Sequence, residues 1–464
     1  MREFGRVAAT ASAAALALSV SLASSLPASA AAAIGGAATA PPTSAAVAAS
    51  AGPQIIVRAV PGAPVAALEL WFRAPSVGFE EQLSPGVARL AAQVVSASKP
   101  VVGESLDRIV GDVGGRLTIS AFSDAVAVTA IVPAGGARQV LGAMTRAYFA
   151  PVLSEDGYRD AARAVATEAA IEAFNPEVVG RDAVFAALFT SGPALYPPGG
   201  DPRDVAQIPL DAVRTFAKRA FRAQNALVVA TGSVTPNLAS AVAAGRPATN
   251  PALAAIEPPV PSVLAAQPGT ATRKLDDTGG ALGWVGPPIV DERSATALDF
   301  VADYLFRPGS GLVAAALAES EPDAAVTGQF ITRRDPGIFL VTYTSNNGPA
   351  LRATIERALA DVQKPLDAAT FAHVLDAFTA RIATDVQTPV EVSDNLGWYT
   401  VEGNPRYAPI PGLAPSAGYF AVAASLTPAF VAETARKYLG RPYAGVTFAP
   451  EPKPAPKATK AGVS

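Results

Sequence analysis

The chemistry open to this chain is limited first by what it lacks. Among 464 residues there is one histidine, His373, and no cysteine. Thiolate catalysis, disulfides, zinc fingers and iron–sulfur clusters all need cysteine, so each is excluded. A zinc enzyme ordinarily places two or more imidazoles on its ion, and one histidine cannot supply them. His373 lies in Phe371-Ala372-His373-Val374-Leu375 with no Ser or Asp motif beside it, which suits a polar helix face better than a base. There is no G-x-S-x-G elbow, and Pro308-Gly309-Ser310-Gly311 lacks the lysine of a phosphate loop, which leaves a structural turn. Trp71, Trp284 and Trp398 stand in strand-like or turn contexts suited to core or interface packing. With 36 Lys+Arg against 39 Asp+Glu and a net charge of -3, the chain has no basic nucleic-acid footprint.

The elements that must position any site fall into ordered segments. Met1-Arg2-Glu3-Phe4-Gly5-Arg6 is a basic-leaning head, Val7 to Leu26 is uncharged and apolar, and Pro27 is followed by Ala28-Ser29-Ala30. That order is a signal peptide over residues 1–30, and it predicts cleavage near Ala30 and a secreted or periplasmic product. Residues 31–52, rich in Ala, Gly, Pro, Ser and Thr, read as a flexible tether. No later run of 18 uncharged apolar residues occurs, so no integral membrane segment is expected in the mature chain. Residues 53–235 carry strand patterns at 54–60, 65–72, 117–121, 125–132 and 226–232. Helical patterns fall at 85–98, 105–113, 137–149, 154–174, 182–189 and 210–221. Residues 236–272 are a Pro/Ala-rich linker. Residues 273–449 repeat the layout more loosely, and 450–464 form a Pro/Ala tail that is expected to be disordered. Two tandem α+β units of similar size suggest duplication.

Several local sequences, in this order, carry a resemblance. A strand over Val65 to Phe72 runs into Arg73-Ala74-Pro75-Ser76, then an acidic loop, then Gly86-Val87-Ala88 opening a helix. Val113-Gly114-Gly115-Arg116-Leu117 makes a Gly-Gly turn before a strand, and Phe174-Asn175-Pro176-Glu177 follows a long helix. Asp201 to Val234 ends in Asn225-Ala226-Leu227-Val228-Val229-Ala230-Thr231-Gly232-Ser233-Val234. This order resembles the pitrilysin/insulinase-type, or mitochondrial-processing-peptidase-like, zinc metallopeptidases over most of residues 53–449. The resemblance implies an α+β fold of two tandem homologous halves. Each half would be a mostly antiparallel sheet packed with helices, and together they would form a half-chamber.

It also implies where a zinc site would stand. The family's H-x-x-E-H motif puts two imidazoles and a carboxylate on one face of the helix after Gly86, because residues i, i+3 and i+4 share a face. At those positions this chain carries Arg89, Ala92 and Gln93. Arg89 cannot bind a cation, Gln93 is a poor zinc ligand and Ala92 cannot accept a proton. Glu168, 75 residues after Gln93, stands as a remnant of the third ligand. Arg89 and Glu168 could pair where the metal would sit or remain solvated in a cavity, and Glu172, one turn on, reads as a surface residue. The substrate-gripping Arg and Tyr of the family's second half fall on Ala318 and Ala325. No catalytic residue, cofactor or metal is therefore expected in this chain, and zinc would be found only in a partner subunit. The resemblance implies a non-catalytic subunit that pairs with a zinc-bearing pitrilysin-like paralogue in a peptide-degrading heterodimer. The alternative is a peptide-binding or scaffold protein like the core subunits of respiratory cytochrome bc complexes. An active zinc peptidase would need ligands the sequence lacks.

Overall fold

The computed structural model describes residues 52–79, 83–100, 103–244, 262–414 and 417–450. The expected signal peptide, nearly all of the tether, the middle of the linker and nearly all of the tail lie outside the described residues. The strands are β1 (Gln54–Ala59), β2 (Val65–Arg73), β3 (Arg116–Ala121), β4 (Ala125–Pro133), β5 (Phe189–Ser191), β6 (Ala226–Gly232), β7 (Val263–Leu264), β8 (Thr270–Lys274), β9 (Gly279–Val285), β10 (Ala325–Ile331), β11 (Ile338–Thr344) and β12 (Ala444–Ala449). The first sheet has the order β1-β6-β2-β4-β3, with β1 and β6 parallel and the other neighbours antiparallel. The second sheet runs β8-β12-β9-β11-β10, with β8 and β12 parallel and the rest antiparallel. In both, the first strand pairs with the last, which adjoins the second, then the fourth, then the third. The duplication suggested by the layout is thus present strand for strand, and the fold is α+β with mixed, mostly antiparallel sheets.

Alternation along the central strands explains how both faces of the first sheet are covered. In β2 the side chains of Ala66, Leu68, Leu70 and Phe72 enter a core with the helices Val87–Ala97, Ala137–Phe149 and Leu210–Ala220. Trp71 turns the other way, as do Ala125 and Ala127 of β4 and Leu227 and Val229 of β6. There they join the core of the second half. The element that receives them is the helix Pro389–Val401, which lies across β2 and β6 although it belongs to the second half. The reciprocal arrangement holds on the second sheet. The helix Pro176–Leu188 of the first half lies on β9, β11 and β12, where Val184 meets Ala281, Leu340 and Val446 in a third core.

Each exchanged helix follows a long helix of its own half, Glu155–Glu172 or Ala368–Thr384, and begins at a proline after a capping side chain. Asn175 accepts from the Glu177 amide, and Thr388 forms a reciprocal capping box with Glu391, which fixes where each helix starts. Close approach relies on missing side chains. A Cβ on Gly397 would lie 2.0 Å from Trp71 Nε1, and one on Gly283 would lie 2.1 Å from Val184 Cγ1. Trp71 stacks on Phe122 at 5.5 Å between ring centroids, and Trp398 of the exchanged helix meets both rings, at 6.4 and 4.9 Å. Apolar and aromatic burial on this scale makes the two halves one cooperative body rather than two beads on a linker.

Several elements differ from the sequence-based expectation. β8 begins at Thr270, inside the stretch read as linker, and the Ala239–Ala244 helix also lies there. The helix expected from Asp182 starts at Pro176. Helices at Leu312–Ser320, Pro389–Val401 and Tyr419–Ala424 were not anticipated. The Pro308-Gly309-Ser310-Gly311 run is a turn, and it joins the Glu292–Phe306 helix to Leu312–Ser320.

Candidate functional site

Gly86 opens the helix that carries the expected site, and its φ of 90° is open to glycine at little cost. A Cβ there would also lie 2.7 Å from Val205 Cγ2 and 2.9 Å from the Gly199 carbonyl oxygen, so the 199–205 segment packs directly against the helix start. The Val87–Ala97 helix is buried on nearly every side, and its main neighbour is Glu155–Glu172. One turn in, Arg89 projects from the first helix to the second. Its Nη2 donates to Glu168 Oε2 at 2.8 Å, while Nη1 donates to Glu172 Oε1 and Oε2 at 3.0 and 2.9 Å. The pair left open by the sequence therefore forms.

Glu172 departs from the expectation of a surface residue. It lies one helical turn beyond Glu168, so both carboxylates face the same guanidinium, and its side chain is 23% exposed against 47% for Glu168. The planar fork of arginine can serve two carboxylates at once, whereas a lysine would offer only a point charge. Gly199 closes the site, since a Cβ there would fall 2.9 Å from Arg89 Nη1 and 3.0 Å from Glu172 Oε2.

The other expected positions supply no chemistry. Ala92 is fully buried, and its carbonyl oxygen accepts from the Tyr148 hydroxyl at 2.8 Å, which also sits 2.8 Å from Ser96 Oγ. Gln93 is half-buried. Ala318, near the end of the Leu312–Ser320 helix, and Ala325, the first residue of β10, are both exposed. His373 is exposed on the Ala368–Thr384 helix, as a polar-face residue should be. Trp71 and Trp284 are buried and Trp398 packs at the junction of the halves, in line with core and interface roles.

The residues around Arg89 do not fit a zinc ion. A bound cation would have to share Glu168 and Glu172 with a guanidinium already hydrogen-bonded to both, and Ala92 offers no base. Among the described residues no three Asp, Glu, His or Cys side chains converge as a metal-ligand group. The site's chemistry is that of a charge clamp between two helices.

A second polar cluster, at the junction of the halves, was missed. Glu69 sits fully buried in the middle of β2, and Trp71 Nε1 donates to its Oε2 at 2.5 Å. Its carboxyl faces Asp394 on the exchanged helix, and burial foremost, with the Asp394 charge second, pushes its pKa well above the usual carboxylate range. At the helix's far end Glu402 is buried and accepts from the Arg334 amide at 2.5 Å. Burial, with the Asp124 charge adding, raises its pKa to about 7. Arg333 donates to Ser123 Oγ at 2.9 Å, and Arg73 donates to the carbonyls of Thr400 and Val401 at 2.8 and 3.1 Å. The signal was visible in VAALELWFR, where one glutamate stands in a strand otherwise apolar between its ends.

This architecture has counterparts among known proteins. Residues 207–377 match the family model described as the peptidase M16 inactive domain. Over that stretch the chain is similar to an M16 inactive domain. No curated protein matches the sequence. Among solved structures, a protease from Helicobacter pylori superposes on 87% of this chain and 98% of its own at a TM-score of 0.75 and 18% identity. A peptidase M16 inactive domain from Pseudomonas fluorescens covers 88% of this chain and 98% of its own, with a TM-score of 0.67 and 17% identity. Complex III2 from Candida albicans contributes a chain that covers 85% of this one and 93% of its own, at 0.67 and 13%. At these identities the likeness is one of fold, and it extends across both sheets of the chain. The resemblance read from the first half is borne out by the family match, which lies mainly in the second. Among the described residues no helix is long and apolar enough to cross a membrane.

Proposed function

We propose that this chain is an exported, non-catalytic M16-type subunit that pairs with a zinc-bearing paralogue and closes a peptide-degrading chamber around it. The observation that carries the reading is the Arg89 clamp. A guanidinium held by Glu168 and Glu172 stands on the helix where the family resemblance places the metal, and Ala92 and Gln93 stand at the remaining motif positions. The match to the M16 inactive domain supports the same reading. In it, Ala318 and Ala325 mark a lost substrate grip, zinc belongs to the partner, and the N-terminal pattern of residues 1–30 directs the chain to the periplasm or outside the cell. A scaffold without any peptidase role is the second reading, favoured by the likeness to a chain of Complex III2 from Candida albicans.

The test is co-purification of the full chain with an M16 paralogue that carries H-x-x-E-H, followed by peptide hydrolysis assays on each protein alone and on the mixture. The expected result is a stoichiometric complex whose activity exceeds that of the paralogue alone. Failure to associate overturns the pairing, and recovery in a complex without peptidase activity favours the scaffold.

A further inference from the structure

The exchanged helix Pro389–Val401 is docked through a contact unlike the rest of its apolar bed. Leu396 and Val392 enter the shared core, Gly397 rides on Trp71, and Thr231 Oγ1 donates to the Pro389 carbonyl at 2.5 Å. Beneath the middle of the helix lie two acids, Glu69 from β2 and Asp394 from the helix itself. Glu69 Oε2 receives the Trp71 indole N–H, while Glu69 Oε1 has no well-aligned donor among the described groups, the buried Ser393 hydroxyl lying near the carboxyl without squarely facing it. Two ionised carboxylates facing each other, Glu69 fully buried and Asp394 half-buried, repel, and a buried oxygen without a good donor is costly. A proton on one of them removes both costs at once, because the carboxyl then donates to the carboxylate.

Among the described residues, no cation is placed on this pair by the elements that pack against it. β4 and β6 contain no charged residue, and the helix itself adds only Glu391, whose carboxylate accepts from the Thr388 and Gln387 amides and lies close enough to burden Asp394 further. Arg73, four residues along β2, is spent on the carbonyls of Thr400 and Val401. Arg333 and Arg334 attend Ser123, Asp124 and Glu402 beyond the C-terminal end of the helix. Tyr399 belongs to the opposite side, where it meets Tyr407 and feels Asp299.

We propose that Glu69 and Asp394 share one proton and form a pH-controlled latch, holding the second half's helix on the first half's sheet in acid and loosening it as both carboxyls ionise. The direction follows from proton linkage. The docked state keeps a proton that separated carboxyls would have given up, so docking is strongest at acid pH and weakens as pH rises through the elevated range. Burial, the largest cause, raises Glu69 well above the ordinary range and also raises Asp394, in line with that sign. Loosening would uncover Trp71, Ala127 and Val229, the face of the first sheet that the helix covers. The inference rests on none of the residues around Arg89 and holds whether or not a paralogue pairs with the chain.

Native-state hydrogen exchange on the full chain tests it, with the amides of residues 389–401 followed from pH 5 to pH 8 and corrected for intrinsic exchange. The expected result is that the opening equilibrium of this helix rises by about tenfold or more over that range, the equivalent of one pKa unit of linkage. In Glu69→Gln the rise shrinks, because the amide donates to Asp394 at every pH. Asp394→Asn reads the same way if Glu69→Gln does not fold. A flat wild-type profile, or a pH dependence unchanged in whichever variant folds, overturns the latch.

Discussion

Replacing Gly397 by alanine is expected to destabilise the folded chain by about 2 to 3 kcal/mol, a large effect for a single added methyl. The added Cβ would lie 2.0 Å from Trp71 Nε1 and 2.3 Å from its Cε2, well inside any tolerable contact. The indole cannot swing away. Its N–H is held by Glu69, its ring is stacked on Phe122, and it is almost fully buried. The helix would have to lift instead, and with it Trp398 and the Leu396 contact to the shared core. Alanine's better helix propensity returns about 1 kcal/mol, which the overlap outweighs. Gly111→Ala provides the contrast. It lies in the Leu106–Asp112 helix with nothing within 4 Å of the new Cβ, and there the same propensity gain should appear as stabilisation. Urea unfolding of both variants decides the matter, and a neutral Gly397→Ala would mean that the exchanged helix does not sit on Trp71.

The second large effect is expected at the charge clamp. Arg89→Met keeps most of the side-chain volume, so any loss reports the guanidinium rather than a cavity. It leaves Glu168 and Glu172 as an unpaired like-charge couple one turn apart, and it removes the hydrogen bonds that tie the Val87–Ala97 helix to Glu155–Glu172. A buried charge-assisted pair lost on one side costs about 2 kcal/mol. Glu168 is almost half exposed and its share is screened by solvent, so most of the loss should come through Glu172. Adding the substitution Glu172→Gln to Arg89→Met should recover part of it, and a double-mutant cycle in urea measures the coupling. Zero coupling would show that the two side chains do not act together.

How much of this was legible in the sequence depends on which surfaces an element buries. The strands 54–59, 65–73, 116–121, 125–133 and 226–232 and the helix 137–149 stood within a residue or two of their expected limits. Period-2 or period-3.6 patterns, with turn residues at their ends, mark such elements. The Pro389–Val401 helix was invisible for a physical reason. PVEVSDNLGWYTV is rich in β-branched residues and contains Asn and Gly, all poor helix formers, and the helix is buried on one side by the first sheet and on the other by its own half. Tertiary packing and the Thr388 capping box make it a helix, and neither leaves a periodic stripe. The same applies to the first turn of Pro176–Leu188, whose Gly180 exists to approach Ala281 and Phe448.

At the site, motif spacing located Arg89, Ala92, Gln93 and Glu168 but misjudged Glu172. Helical spacing alone puts Glu172 on the same face as Glu168, and Arg89 opposite supplies the charge that draws both inward. Glu69 carried its own sequence signal as an acid inside an apolar strand. Its partner Asp394 carried none, because it lay in the helix that could not be foreseen.

The central proposal is that the Arg89 guanidinium stands where the resemblance to M16 peptidases places a metal. Zinc content measures this most directly. The purified full chain, loaded with excess zinc and dialysed, is assayed by elemental mass spectrometry alongside chelator-sensitive peptide hydrolysis. The Arg89 clamp predicts far less than one zinc per chain and no hydrolysis that chelation abolishes. One zinc retained per chain would contradict it, for Arg89 could not then be holding both Glu168 and Glu172.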